Sequence, residues 1–320
     1  MRAGMVGRRR RPWPGLGRPA LRNTLYGLVF AAPWITGLFV FYAYPILASL
    51  YYSFTDFSGL QEPVWVGLAN YGTLLLQDNE FGVGVYNTIY YALIAVPTGI
   101  VVALSLSLML NMHVGGLAVY RTIYFMPVLV PEVAISIIWL QMFNPQFGLV
   151  NAAIEWAASL FGFQIAGPGW LANEFWSKPS LVLLSLWLVG QPVVIYLAGL
   201  QDVPQDLVDA AAVDGANAVQ RIWHVTIPML TPVILFNLIT SLIAAFQIFT
   251  QPYVMTGGTG RPANSLLFYS MLLYQQAFVY FQMGLASAMA WILFAAILTC
   301  ALCIFYSSAR WVYYGSGERR

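Results

Sequence analysis

Long apolar runs constrain this chain more than any other feature of its sequence. A helix needs about 20 consecutive apolar residues to cross the hydrocarbon core of a bilayer. The runs are continuous rather than alternating, which disfavours a membrane β-barrel. The predicted fold class is therefore an all-α membrane protein with about six transmembrane helices. The predicted spans are residues 25–54, 87–110, 122–143, 181–200, 229–249 and 284–307.

The composition agrees with a membrane domain along most of the chain. Of the 320 residues, 60% are hydrophobic and only 8% are charged, whereas a soluble domain carries about 25% charged residues. Several prolines fall in the apolar runs, and we expect them to interrupt the helices where neighbouring helices or a water-filled cavity satisfy the freed backbone groups. These prolines are Pro33, Pro45, Pro97, Pro127, Pro131, Pro192 and Pro232.

The arginines predict the orientation. Cytoplasmic segments of membrane proteins carry an excess of Lys and Arg, and here the excess lies in the N-terminal tail, in the even-numbered connections and in the C-terminal tail. Both termini are therefore predicted to be cytoplasmic. The predicted domains are a basic tail (1–24), a transmembrane domain (25–309) and a C-terminal tail (310–320). The arginines concerned are Arg2, Arg8, Arg9, Arg10, Arg11, Arg18, Arg22, Arg121, Arg221, Arg310, Arg319 and Arg320.

The basic N-terminal tail is interpreted as a topology anchor that touches anionic lipid, rather than as a nucleic-acid-binding segment. A cleaved signal peptide is not expected, because the apolar stretch that follows is too long and no small-residue cleavage site follows it.

Several enzyme and metal chemistries find no support in the sequence. The one lysine, Lys178, is followed by proline, so the chain has no phosphate-binding P-loop. The two histidines, His113 and His224, lie far apart without further ligands at metal-binding spacing. Cys300 and Cys303 share a face of the last span and are interpreted as small packing residues. We expect neither an enzyme nor a metal site, which leaves transport, channel conduction or a structural role.

One cytoplasmic connection differs from the rest of the chain. The segment 206–228 reads DLVDAAAVDGANAVQRIWHVTIP, with three aspartates, an Arg and a His between two apolar runs. Asp202 is predicted to cap a helix whose first turn holds Pro204. Gly215 is predicted to end that helix in a turn.

A second short helix is predicted at 217–224, with Val219, Ile222 and Trp223 on its apolar face, and Pro228 is predicted to mark re-entry into the membrane. A solvated loop is the plainer interpretation of this segment. The alanine-rich helix, the glycine turn and the exposed apolar face favour a surface that docks onto a partner protein.

The same segment resembles the EAA loop of ABC-transporter permeases. The matching residues are Asp209-Ala210-Ala211, Asp214-Gly215-Ala216 and Val225-Thr226-Ile227-Pro228, with the spacing of the motif fully kept. Asp209 replaces the usual Glu, Val225 replaces Ile and Ile227 replaces Leu. Further likeness runs over roughly residues 25–315, including RTIYFMPVLVP, FNPQFGLVN and TQPYVMTGGTGRPANS. Together these are similar to the six-helix first permease of sugar and glycerol-phosphate importers.

The resemblance implies a type I ABC importer permease fold with a cytoplasmic coupling helix in loop 202–228. It also implies a second permease, two ABC ATPase subunits that hold ATP and Mg, and an extracytoplasmic substrate-binding protein. No cofactor is expected on this chain and no nucleic acid as a partner. The location implied is a bacterial or archaeal cytoplasmic membrane. The residues assigned to ATPase coupling are Asp209, Ala210, Ala211, Asp214, Gly215, Ala216, Arg221 and Pro228.

A stripe of polar and small residues predicts the substrate pathway. In the fifth span these residues recur at helical spacing on one side of an apolar helix. Such a stripe lines a water-filled path or makes interhelical hydrogen bonds, and the sequence leaves both open. Glu132 is expected near mid-membrane, where it is paired, protonated or facing water. The pathway candidates are Glu132, Gln191, Asn237, Thr240, Ser241 and Gln247.

The predicted substrate is a carbohydrate, and an oligosaccharide in particular. A neutral sugar is favoured because no span interior holds an Arg or Lys to pair with a phosphate. A glycerol-3-phosphate or phosphodiester importer of the same family is the alternative. A secondary transporter or channel working without ATP is less well supported, because the sequence shows one intramembrane acid and no clear internal repeat.

Overall fold

The computed structural model describes residues 18–112 and 115–313 of the chain. The chain divides into two compact units, Met1–Tyr51 and Tyr52–Arg320. Part of the predicted tails and one of the two histidines lie outside the described residues. These are Arg2, Arg8, Arg9, Arg10, Arg11, His113, Arg319 and Arg320.

The first unit is helical throughout its described part. Helix α1 (Arg18–Leu38) continues through a π-helical stretch, Phe39–Ala43, into α2 (Tyr44–Tyr52). The continuous apolar helix Arg22–Tyr52 is long enough to cross a membrane. It corresponds to the first predicted span.

The second unit begins with a short antiparallel ladder, in which β1 (Thr55–Asp56) pairs with β2 (Val64–Trp65). Helices follow to the end of the described chain. They are α3 (Ala69–Leu76), α4 (Asn79–Leu110), α5 (Leu117–Phe125), α6 (Glu132–Met142), α7 (Leu149–Leu160), α8 (Glu174–Trp187), α9 (Gly190–Gln201), α10 (Gln205–Val213), α11 (Ala218–Arg221), α12 (Ile227–Phe246), α13 (Thr250–Thr256), α14 (Tyr269–Tyr274) and α15 (Met283–Ser308).

The described helices confirm about six spans by length and composition. Besides the first unit's helix, the segments that are long enough without a sharp bend are Asn79–Leu110, Ala218–Thr256 and Met283–Ser308. The third and fourth spans are each a bent pair of helices. The chain bends by 101° between Leu117–Leu129 and Glu132–Met142, and by 46° between Glu174–Trp187 and Gly190–Gln201.

Only some of the prolines interrupt a helix, so that prediction is partly wrong. Pro33, Pro97 and Pro232 lie inside continuous helices. By contrast, Val130 is extended and Pro131 caps α6 at the 101° bend, because a proline pushes the residue before it out of the helical region. Pro192 lies just after the second bend, in the first turn of α9, where its missing N–H costs little.

Helix α4 is the central element of the second unit and contacts α8, α9, α12 and α14. Its buried side includes small residues such as Ala92, Ala95 and Ala103, which allow the neighbouring helices to approach closely. Large side chains on its other side are exposed, among them Leu93 (69%) and Val101 (62%). Apolar surface of this extent requires lipid or another protein to cover it.

The C-terminal end of the described chain folds back onto α12. After α15, the Tyr313 backbone N–H donates to Thr231 Oγ1 over 2.8 Å, and the Thr231 hydroxyl itself donates to the Pro228 carbonyl over 2.7 Å. Thr231 is buried. One hydroxyl therefore joins the end of the last span to the beginning of α12.

We expect Gly190→Ala to destabilise the protein. A Cβ at Gly190 would collide with the Tyr124 carbonyl oxygen and approach Val128 Cγ2 within 2.9 Å, because α9 starts against the end of α5. Such overpacking costs about 1–3 kcal/mol. The measurement is the thermal unfolding midpoint in detergent, which should fall.

Gly82→Ala is the matched control, since nothing lies within 4 Å of a Cβ there and the residue belongs to a helix. Its unfolding midpoint should be unchanged or slightly raised. Equal midpoints for both variants would contradict the packing of α9 against α5.

Candidate functional site

A cavity of about 320 Å³ lies among α4, α6, α8, α9 and α12. Its wall combines apolar side chains with hydroxyl, amide and carboxyl groups. The polar side chains on the wall are Tyr91, Glu132, Ser185, Asn237, Ser241, Gln247, Thr250 and Gln251. A cavity of this size with a few polar groups among apolar ones is typical of a small-molecule site.

Three interruptions of the spans meet at this cavity. Glu132 follows the bend of the third span, Leu188 and Val189 form the bend of the fourth, and Gln247–Phe249 separate α12 from α13. Irregular backbone inside a membrane is tolerated where it lines a cavity or is buried in protein. The convergence of the breaks therefore makes this region the candidate functional site.

Four of the six sequence-predicted pathway residues lie on the cavity wall: Glu132, Asn237, Ser241 and Gln247. Thr240 and Gln191 do not. Thr240 is exposed and its hydroxyl donates to the Phe236 carbonyl of its own helix over 2.9 Å. Gln191 is exposed, and its neighbour Pro192 lines the cavity instead.

The positions of Glu132 and Asn237 follow from their helices. Glu132 is the first residue of α6, where a carboxylate is stabilised by the positive end of the helix dipole. The bend thus places it at a helix start rather than in the middle of a continuous span. Asn237 is buried, and its Nδ2 donates to the Val233 carbonyl over 3.1 Å. Its Oδ1 remains as an acceptor for other groups.

Tyr91 and Ser185 line the wall although the sequence pattern did not predict them. Each carries a hydroxyl in a largely apolar run, and the packing of α8 against α4 brings them to the same wall. The only sequence signal was a polar group within a predicted span, which is a weak one because such groups also bond within their own helix.

The glycine turn predicted in the loop 202–228 forms. Gly215 has φ +87°, a left-handed conformation that favours glycine. Its N–H donates to the Ala212 carbonyl over 3.1 Å, and the Ala216 N–H donates to the Ala211 carbonyl over 2.9 Å. This pair of bonds closes the C-terminus of α10.

The predicted helix start was wrong. Asp202 belongs to the end of α9, where its N–H donates to the Gly199 carbonyl over 3.2 Å. Pro204 occupies the capping position of α10, with an extended backbone and Asp206 in the first turn. No side chain caps this helix start; the Leu207 N–H instead donates to the Pro204 carbonyl over 3.2 Å.

The second predicted helix is also not a separate element. Asn217 and Gln220 cap its start reciprocally, with bonds of 2.9 and 2.8 Å. From Ala218 the helix runs on through a π-helical stretch, Ile222–Thr226, into α12. Pro228 therefore lies in the first turn of α12 and marks no break. The π stretch pairs the Ile227 N–H with the Ile222 carbonyl, so the helix stays continuous across this point.

The loop presents an exposed surface of apolar and acidic side chains. Val213, Val219 and Trp223 are 89%, 62% and 63% exposed. Asp209 is exposed and accepts a hydrogen bond from Gln205 Nε2 over 3.0 Å. Arg221 is half-buried, and its Nε has no hydrogen-bond partner among the residues that the structure describes. An exposed aromatic beside an acidic helix is typical of a protein-docking surface.

The fold defines the class of protein. A solved bacterial alginate ABC transporter, in complex with an alginate pentasaccharide-bound periplasmic protein, aligns with a TM-score of 0.78 at 19% identity over 92% of this chain and 98% of that one. A second alginate importer structure aligns with a TM-score of 0.72. The described fold is that of an ABC importer permease.

Residues 95–312 match the family of binding-protein-dependent transport system inner membrane components, and the chain belongs to this family. It is 37% identical over 302 residues to the probable ABC transporter permease YesP of Bacillus subtilis, covering 94% of this chain and 96% of YesP. The lactose permease LacF of Rhizobium radiobacter is 34% identical, with 88% and 93% covered. The trehalose/maltose permease MalF of Thermococcus litoralis is 30% identical, with 87% and 92% covered. These matches confirm the resemblance and the fold class inferred from the sequence.

A labelling experiment separates the two interpretations of the polar stripe. In a Cys300→Ser/Cys303→Ser background, we expect Ser241→Cys to react with a membrane-impermeant thiol reagent, because a cysteine in a hydrated cavity can ionise. Leu298→Cys on the apolar, exposed side of α15 is the control and should react at least about tenfold more slowly. Equal rates would contradict a water-filled cavity and favour interhelical bonding.

We expect Thr231→Val to destabilise the protein by about 1–2 kcal/mol, since the Tyr313 N–H loses its acceptor. Thr231→Ser keeps the hydroxyl and should behave as the wild type. The measurement is the unfolding midpoint of both variants with and without residues 311–320. In the shortened chain Thr231→Val should lower the unfolding midpoint by less than it does in the full chain. An equal fall in both chains would show that the contact with Tyr313 does not contribute to stability.

Proposed function

We propose that this chain is the membrane permease of an ATP-driven, binding-protein-dependent importer of a carbohydrate. The observation that carries the substrate class is the set of relatives at about 30% identity or more. LacF is a lactose permease, MalF of Thermococcus litoralis a trehalose/maltose permease and AraP of Bacillus subtilis an arabinooligosaccharide permease. The cavity fits this class, because hydroxyls and amides on its wall can both donate to and accept from sugar hydroxyls.

The driving force comes from a separate ATPase. The sequence holds no P-loop, so ATP and Mg would bind to partner subunits and not to this chain. We assign the exposed loop surface around Asp209, Gly215 and Trp223 to ATPase docking, with Asp214 shaping the turn. The polar and apolar character of this surface supports the assignment.

A continuous helix links this surface to the cavity. From Ala218 the helix runs through α12 to Phe246 and stops at Gln247, on the cavity wall. At 1.5 Å per residue this is about 40 Å. Displacement of the docked loop would move the helix end directly, and with it Asn237, Ser241 and Gln247.

The orientation with both termini in the cytoplasm follows from the positive residues. Arg221 precedes α12 and Arg310 follows α15, and the Thr231–Tyr313 contact places the ends of these helices together. The docking loop then faces the cytoplasm, where an ATPase would bind. A second permease and a substrate-binding protein complete the proposed importer. The exposed apolar side of α4 is available for lipid or for that second permease.

Two variants of the loop test the coupling. Asp209→Lys reverses the exposed charge, and Gly215→Val forces a β-branched residue to φ +87°. We expect each to lower copurification of the ATPase and ATP-dependent uptake by about tenfold, the equivalent of about 1.4 kcal/mol of docking energy. The measurements are ATPase recovery from detergent extracts and uptake into vesicles.

Asp209→Glu and Gly215→Asn are the matched controls. The first keeps the carboxylate, and the second is tolerated in the left-handed conformation. Both should keep docking and uptake. Wild-type association in Asp209→Lys and Gly215→Val would overturn the coupling assignment while leaving the substrate class untouched.

A further inference from the structure

Lys178 lies inside a helix, although it precedes the predicted fourth span, residues 181–200. Helix α8 begins at Glu174, so Lys178 belongs to its second turn. It is the one lysine of the chain. The preference for a neutral substrate depended on the absence of a cation from the spans, and this position of Lys178 removes that argument.

The Lys178 ammonium group lies in a pocket of defined partners from α4. Its Nζ donates to Asn87 Oδ1 over 3.1 Å. It also lies 5.2 and 5.3 Å from the ring centroids of Tyr86 and Tyr90, within the range of a cation–π contact. Tyr86 is 60% exposed, so the cluster of Lys178, Tyr86 and Tyr90 is open on the side of Tyr86.

Asn87 is held so that its oxygen must face Lys178. The residue is 1% exposed, and its Nδ2 donates to the Asn264 and Leu267 carbonyls over 2.8 and 2.9 Å. Two carbonyl acceptors fix which end of the amide carries the hydrogens. The connection between α13 and α14 thereby orients Asn87 for the ammonium group.

The positive charge of Lys178 is not matched by a contacting acid. Among the described residues no carboxylate forms an ion pair with its Nζ within 4 Å. Glu174, one turn earlier on α8, attracts the ammonium group without contacting it. A half-buried cation with neutral partners favours an anion that completes its coordination. Two tyrosine rings beside it offer flat apolar surface to a sugar ring.

Lys178 is in line with the cavity. Ser185 lies seven positions after it, which places both on the same side of α8, about 10 Å apart along the axis. On α4, Asn87 lies one turn before Tyr91. Ser185 and Tyr91 are both on the cavity wall. A sugar chain entering from the end of the bundle that holds Lys178 would meet the lysine before the cavity.

We propose that Lys178, Tyr86 and Tyr90 form a recognition site for a carboxylate-bearing sugar at the outer entrance to the cavity, so that the imported carbohydrate is an acidic, uronate-containing oligosaccharide. This inference rests on the proposed function. A single ammonium group with neutral partners suits a monoanionic carboxylate better than a phosphate, which favours Arg forks or several cations.

The test uses the complete importer, with its second permease, ATPases and binding protein, in proteoliposomes. The probes are oligogalacturonates and alginate oligosaccharides, their methyl esters, and neutral malto-, arabino- and galacto-oligosaccharides. Uptake and ATP hydrolysis are measured at saturating binding protein. We expect a uronate oligosaccharide to be transported, and Lys178→Met to lower its uptake about tenfold through loss of a charge-assisted hydrogen bond.

Lys178→Arg keeps the charge and should retain most of the uptake, and the ester should be transported equally by wild type and Lys178→Met. Tyr86→Ala, at an exposed position, should lower uptake of the uronate without lowering the unfolding midpoint. The Tyr86→Ala variant keeps the test valid if Lys178→Met folds poorly.

Other outcomes overturn the inference in distinguishable ways. Transport of neutral sugars only would refute the acidic substrate and leave the proposed function standing. An equal loss for acidic and neutral sugars in Lys178→Met, larger when the assay is repeated at subsaturating binding protein, would show that Lys178 docks the binding protein. If no carbohydrate stimulates ATP hydrolysis, the proposed function itself fails.

Discussion

The hydrocarbon interior of a bilayer accepts no unpaired backbone group, and this constraint governs the fold. Each group has to be bonded within its own helix, so the chain is helical wherever it crosses. Non-helical backbone inside the membrane is tolerated only where it lines a cavity or is buried in protein. The three interruptions of the spans, at 130–131, 188–189 and 247–249, all adjoin one cavity. All three interruptions therefore lie where a cavity can relieve the need for helical bonding. Glu132 and Gln247 lie next to them, whereas other polar wall residues, such as Tyr91, Ser185 and Asn237, come from within helices.

Apolar periodicity and charge made most of the architecture predictable. The number of spans, the position in the chain of the polar loop 202–228 and the turn at Gly215 follow from local rules, because hydropathy and glycine conformation depend on few neighbours. The effect of each proline on its helix was harder to predict from the sequence. Pro97 and Pro232 stay inside helices while Pro131 sits at a bend, and that difference depends on the tertiary packing around each proline.

The site was only partly predictable for the same reason. The stripe of α12 has helical spacing and could be detected in the sequence, whereas Tyr91 and Ser185 come from different helices and have no common pattern. Lys178 shows the limit most clearly. It precedes the predicted fourth span (181–200), so the sequence placed it outside a span. In the structure, Asn173 caps α8 through the Phe175 N–H over 2.8 Å, and the helix that starts there includes the lysine.

One route through the chain connects the proposed docking surface, the cavity and the entrance. Helix α12 runs from the loop to the cavity, and α13 continues to the connection 257–268. Carbonyls of that connection, at Asn264 and Leu267, hold Asn87, and Asn87 holds Lys178. The Tyr269 N–H also donates to Thr88 Oγ1 over 3.0 Å, which fixes the same connection to α4. A movement of α12 that changed the cavity would therefore act on the entrance as well, because the chain that follows α12 supplies the bonds that orient the groups there.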